Sequence, residues 1–241
     1  MKITLDRNSF THSFIQPISK LCDQCIINIL PKEINALVNE TSGIILYSKY
    51  ITETNIQTPV VLNIGNIKKL YNLLNYISSD SIDLDIESNH IKYENAGVKF
   101  KYHLFEDGII QKPTINTAKI EAFQFNTNFT LTYSEIQNIL KASSTNSDTN
   151  KIYFFIKDGN VYAELTDMSI DNTDSLTLKI ADKYNGEGIK EPLPIELEIF
   201  RNLIGSKTDV DLKINTQYKV LIFDMQIGNI FTKYIVNCLV K

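Results

Sequence analysis

The feature that most constrains this 241-residue chain is an internal duplication. Leu62-Asn63-Ile64-Gly65-Asn66-Ile67-Lys68-Lys69-Leu70-Tyr71 lies over Ile195-Glu196-Leu197-Glu198-Ile199-Phe200-Arg201-Asn202-Leu203-Ile204 at an offset of 133, and the apolar positions match almost throughout. Ile82 to Ile86 lies over Val210 to Ile214 at an offset of 128, and Gly97 to Phe100 over Gly228 to Phe231 at 131. Solenoid repeats are far shorter, about 20–50 residues. The blocks therefore describe two copies of one domain, with boundaries at 1–107 and 119–241. The stretch 108–118, without periodicity and holding Gly108 and Pro113, reads as the linker between them.

Within each copy, alternation dominates. Ile82-Asp83-Leu84-Asp85-Ile86 and Val210-Asp211-Leu212-Lys213-Ile214 put apolar and charged side chains on opposite faces, the period of a half-buried strand. Further strands are expected at Cys25–Leu30, Gly43–Ile51, Val60–Ile64, Ile91–Tyr93, Val98–Phe105, Phe123–Leu131, Ile152–Lys157, Val161–Thr166, Ser175–Ile180, Tyr218–Phe223 and Ile230–Leu239. Lys157-Asp158-Gly159-Asn160 reads as a hairpin turn. Asp182 to Pro192 reads as a long loop in which Gly186 and Gly188 supply flexibility.

Four segments change to helical spacing. Ile67, Leu70, Tyr71, Leu74 and Ile77 share one helix face, as do Ile136, Ile139, Leu140 and Ser143 after a cap at Thr132 or Ser134. Phe14, Ile18 and Leu21 mark a third helix, which tolerates Pro17 only in its first turn, and Phe200, Leu203 and Ile204 a short fourth. Each copy thus reads strand, helix, several strands, helix, three strands.

Catalytic signatures are scarce. Glycine-rich phosphate loops, His-Glu-x-x-His and Gly-x-Ser-x-Gly do not occur. Three cysteines are an odd number and too few for a disulfide framework. Cys22-Asp23-Gln24-Cys25 has the spacing of half a zinc site, but the only further candidates are Cys238 and three scattered histidines, and the strand-helix context of a redox motif is lacking; buried structural thiols are expected, with metal or redox use the alternative. His12, His90 and His103 read as surface or strand residues. No enzyme, no metal and no cofactor is expected. The first residues lack the apolar core of a secretion signal and no apolar run reaches about 20 residues, so a soluble, cytoplasmic protein is expected.

A net charge of −4 excludes a coat that grips nucleic acid by bulk charge, but not a basic strip on an acidic body. From Ile64 to Ile77 no residue is acidic, and the polar face there is Asn66, Lys68, Lys69, Asn72 and Asn75. Lys20, Lys141, Arg201 and Lys207 lie on or beside the other helices, and Lys68 is equivalent to Arg201 in the duplication. Such lysines either solvate an amphipathic helix or present a surface to phosphates, without reading bases.

The layout, acidic overall and basic on its helices, resembles the DNA sliding clamps, the two-domain eukaryotic and archaeal clamp and above all the T-even phage clamp. The resemblance spans the chain, with Val60 to Phe105 its best-matching stretch. It implies an α+β fold of duplicated clamp-type domains: mostly antiparallel sheets outside and two short helices per domain facing a central channel. Three chains would close a homotrimeric ring around sequence-independent duplex DNA and tether a replicative DNA polymerase, after opening by a clamp loader ATPase. By position Lys20, Lys68, Lys69, Lys141, Arg201 and Lys207 would face the channel. Ile109, Ile110, Ile115, Leu239 and Val240, near linker and chain end, would dock an apolar peptide of the polymerase or serve core packing. The edges joining one chain to the next would be near Tyr93–Phe105 and Ile152–Thr166. A phage-encoded clamp would work in the host cytoplasm. The rival reading is a duplicated β-rich structural protein of a virion.

Overall fold

The computed structural model describes all residues except 40–42, 96, 116, 146–148, 171, 198–199, 201–206 and 240–241. It divides into two compact units: Met1–Glu121 with Gln226–Thr232, and Ala122–Met225 with Lys233–Lys241.

The first unit opens with β1 (Lys2–Asp6), whose Ile3 and Leu5 alternate inward. A π-helical stretch, Asn8–Ile15, runs directly into α1 (Gln16–Leu21). Pro17 sits in the first turn of α1 yet inside a continuous helical run. Proline offers no N–H, and its ring crowds the carbonyl four residues back; the widened turns ahead of it accommodate both defects. Phe10, Phe14, Ile15 and Ile18 face inward, and the Phe14 ring lies 6.5 Å from that of Tyr50. There follow β2 (Cys25–Leu30), β3 (Glu33–Asn39), β4 (Ile45–Ile51), β5 (Val60–Ile64), α2 (Ile67–Asn75), β6 (Ser81–Glu87), β7 (His90–Asn95), β8 (Val98–His103) and α3 (Thr117–Glu121). The strand β3 was not anticipated, although Ile34, Ala36 and Val38 alternate inward; its asparagines and alanine are poor strand formers. The expected helix at Ile67–Ile77 forms because the Asn66 side chain accepts the Lys69 N–H at 2.8 Å and Ile67, Leu70 and Leu74 are buried.

The second unit holds β9 (Thr127–Leu131), α4 (Tyr133–Thr145), β10 (Lys151–Lys157), β11 (Asn160–Leu165), β12 (Leu176–Ala181), β13 (Asn185–Gly186), β14 (Leu193–Glu196), β15 (Val210–Asn215), β16 (Val220–Ile227) and β17 (Ile230–Asn237). A capping box starts α4: Glu135 N–H donates to Thr132 Oγ1 at 3.3 Å, and Thr132 N–H donates to Glu135 Oε2 at 3.0 Å. Asp158 and Gly159 take positive φ (51° and 78°) in the expected hairpin turn. Phe200, the described residue of the expected fourth helix, is buried between the rings of Phe154 and Phe223; most of that segment, with Arg201, lies outside the described residues.

The loop at Asp182–Pro192 corrects one expectation. Gly186 does not loosen it but makes a close crossing. Its φ is +102°, and a Cβ there would stand 2.0 Å from the Asn126 carbonyl oxygen. The loop straps the outer edge of β9, with Thr127 Oγ1 donating to Gly188 O at 3.1 Å and Glu187 N–H to Asn126 O at 2.8 Å.

The duplication is visible in the strand order. In the first unit one sheet runs β1-β6-β7-β8; in the second, β9-β15-β16-β17. The partner sheets run β4-β3-β2-β5 and β12-β11-β10-β14. Even side-chain pairs repeat. Thr4 donates to Asp83 at 2.7 Å where β1 meets β6, and Thr130 to Asp211 at 2.7 Å where β9 meets β15.

Candidate nucleic-acid interface

In the first unit α1 and the π-helical stretch both pack against α2. Neither the 8–21 run nor α2 contains an acidic residue. The outward positions are Lys20, Lys68, Lys69, Asn72 and Asn75, all exposed, with His12 set edge-on to Tyr71 at 6.1 Å. An acid from outside the helices reaches this surface. Asp23, just beyond α1, pairs with Lys68 at 2.9 Å, while its carbonyl accepts the Ile67 N–H at 2.9 Å. The carboxylate holds the Lys68 ammonium above the usual lysine range. Sequence reading missed this contact because 45 residues separate the partners.

In the second unit α4 packs on β11 and β12 through Ile136, Ile139 and Ala142. Its exposed side carries Ser134, Gln137, Asn138 and Lys141; Glu135 is occupied in the cap. Lys207 is exposed shortly before β15. Asp6, Asp85, Glu87 and Glu94 are exposed on the β1-β6-β7-β8 sheet, interleaved with Lys2, Lys92, Lys99 and Lys101. Lys2, Lys92 and Lys99 are paired there, with Asp83, Glu87 and Glu94.

The apolar residues near the linker separate. Ile109 is 60% exposed, Ile115 half-buried and Ile110 buried beside a cleft of about 190 Å³ lined by Cys25, Val38 and Pro113. Leu239, half-buried, belongs to the second unit, where its N–H donates to Pro194 O at 2.9 Å. Val240 lies outside the described residues. The second unit also shows an aromatic group absent from the sequence reading. Phe123 lies 5.3 Å from Phe125 and 6.2 Å from Tyr218, whose ring is 67% exposed. Residues so far apart in sequence leave no local signal. Among the described residues no cluster of three His, Cys, Asp or Glu is gathered in metal-binding geometry.

The duplicated sheets, helix positions and strand orders define the fold of the DNA sliding clamps. Solved structures similar to the chain include PCNA from A. fulgidus with the C-terminal region of FEN-1 bound, at a TM-score of 0.81 and 14% identity over 100% of this chain and 98% of that one. Proliferating cellular nuclear antigen from Entamoeba histolytica follows at 0.79 and 17%, covering 99% and 98%. PCNA from Thermococcus kodakaraensis stands at 0.77 and 10%, covering 99% of each. No protein-family model and no curated protein sequence matches the chain.

Proposed function

We propose that this chain is a DNA sliding clamp: a non-enzymatic ring of three copies that encircles duplex DNA and tethers a replicative polymerase, opened by a separate loader ATPase. The observation that carries it is the clamp fold over the whole chain, at a TM-score of 0.81. The charge layout supports it. The acid-free 8–21 run and α2, with their lysines and asparagines, suit weak phosphate contacts, and a ring that holds DNA by enclosing it needs no strongly basic body. In this reading Lys20, Lys68, Lys69, Lys141, Arg201 and Lys207 meet the phosphates. Ile109, Ile110, Ile115, Leu239 and Val240 are the candidates to dock the polymerase peptide; within the second unit, exposed Tyr218 beside half-buried Phe123 and Phe125 offers an aromatic partner surface of its own. The work takes place in the cytoplasm, that of the host where the chain is phage-encoded.

Internal symmetry supports closure of the ring. Within the first unit the tip of the β16–β17 hairpin lies on β4: Ile51 N–H donates to Asn229 O at 2.9 Å, and the Ser48 and Thr232 hydroxyls meet at 3.3 Å. In strand order β12 is the counterpart of β4, and β8 the counterpart of β17. Among the described residues neither β8 nor β12 has a second neighbour. Ala36 stands opposite Ser48, and Ala163 opposite Leu178. Yet Ser48 is fully covered, while Leu178 is half-exposed and Leu176 exposed. An open edge of this kind accepts a strand, and β8 of a second copy completes it as the hairpin tip completes β4.

The test is light scattering joined to a DNA retention assay. A trimer of three times 27.5 kDa is expected, held through high salt on nicked circular DNA with loader present and released on linearisation. A stable monomer, or equal loss from circle and line as salt rises, overturns the reading. A virion protein would instead build large assemblies and ignore DNA topology.

A further inference from the structure

The Cys22-Asp23-Gln24-Cys25 segment was expected to hold two buried structural thiols. Cys25, at the start of β2, is 3% exposed, but Cys22, the C-cap of α1, is half-exposed. The two thiols are in hydrogen-bond contact, and the Cys22 thiol also donates to Ile18 O at 3.5 Å. Asp23, between the two cysteines, pairs with the Lys68 ammonium at 2.9 Å. One thiol is therefore half-open to solvent, and its partner is buried beside it. That is the arrangement of an attacking and a resolving cysteine.

We propose that Cys22 and Cys25 form a reactive dithiol that small-molecule disulfides oxidise to an intramolecular disulfide. The Cys22 thiolate attacks one sulfur of oxidised glutathione, and the S–S bond breaks to release one glutathione thiolate. The Cys25 sulfur, its proton passing to solvent, then attacks Cys22 Sγ in the mixed disulfide and expels the second glutathione. Two thiols are oxidised, one glutathione disulfide is reduced, and two protons leave the protein. The bond to Cys22 and then burial hold the Cys25 thiol well above its ordinary range in the free dithiol; once Cys22 is a mixed disulfide that bond is gone and burial alone opposes the Cys25 thiolate, so the resolving step quickens with rising pH. This inference stands apart from the clamp reading.

The full chain is incubated folded with oxidised glutathione, quenched by alkylation, and analysed by intact mass and by the tryptic peptide Leu21–Lys32, which carries both cysteines. The expected product has lost two hydrogens, carries no label in that peptide, and recovers both labels after dithiothreitol. Cys238, 7% exposed with its thiol pushed up to about 12, stays unreacted as the internal reference. Cys25→Ser halts at a glutathione adduct on Cys22, and Cys22→Ser leaves Cys25 unmodified. A wild-type chain whose two thiols remain alkylatable, or that keeps glutathione on Cys22 without resolving it, overturns the proposal whatever the variants do.

Discussion

The Lys68 ammonium lies 2.9 Å from the Asp23 carboxylate, on a helix surface that otherwise carries no acid. Both groups are exposed, so the pair adds little to stability. In the clamp reading it acts on DNA binding, because Asp23 competes with phosphate for Lys68. Asp23→Asn is expected to tighten binding to linear duplex at low salt and to steepen the salt slope by up to about one counterion. Lys68→Ala should weaken binding and cancel the gain when the two changes are combined. Fluorescence anisotropy across a salt series checks this, and an Asp23→Asn gain that survives Lys68→Ala would count against the competition.

Leu176 and Leu178 on β12 are the uncovered counterparts of residues hidden on β4. In the clamp reading Leu178→Asp is expected to turn the proposed trimer into single chains, since it buries a charge against an incoming strand. The circular dichroism of the chain should stay unchanged, because Leu178 is already half in water. Sedimentation equilibrium reads the mass. An undiminished trimer would remove β12 from the interface.

Gly186 cannot accept a side chain. Its φ of +102° and the Asn126 carbonyl 2.0 Å from a prospective Cβ predict that Gly186→Ala costs about 1–3 kcal/mol through strain and a displaced strap. Gly97→Ala, at φ +80° with open space around it, should cost only about 1 kcal/mol. Urea midpoints of the two variants separate the effects of crowding and of backbone sign.

Asp167 is buried at the end of β11 and receives bonds from Lys151 Nζ at 2.7 Å and Ser169 N–H at 3.0 Å. The Lys151 bond, then those from Ser169, push its carboxyl from an ordinary 3.8 down to about 2. A lowered folded value means the charged form is favoured by folding. Its stabilisation is therefore complete above about pH 4 and lost as pH falls toward 2. Asp167→Asn should lower the midpoint of thermal unfolding at pH 7, with the gap to wild type closing below pH 4. A gap that stays constant down to pH 2 would show that the contribution is not the charge.

How much was legible in the sequence differed by element. β2, β5 and α2 lie within a residue or two of their expected bounds because their periodicity is strong and their caps are local. The four-residue β14 was missed because Pro192 and Pro194 blur its pattern. The Thr4–Asp83 and Thr130–Asp211 pairs make the duplication physical, yet neither pair is adjacent in the chain.

What the sequence determined by itself was the repeated order of strands and helices, the acid-free helix faces and the class of fold they imply. These follow from spacing along the chain, which sets which side chains share a face. Only the tertiary structure decided that Asp23 reaches Lys68, that Gly186 closes a strap, that Cys22 meets Cys25 with one thiol half-exposed, and that among the described residues β8 and β12 keep open edges. Each of these depends on which surfaces meet once the core has packed, and no period along the chain encodes such a meeting.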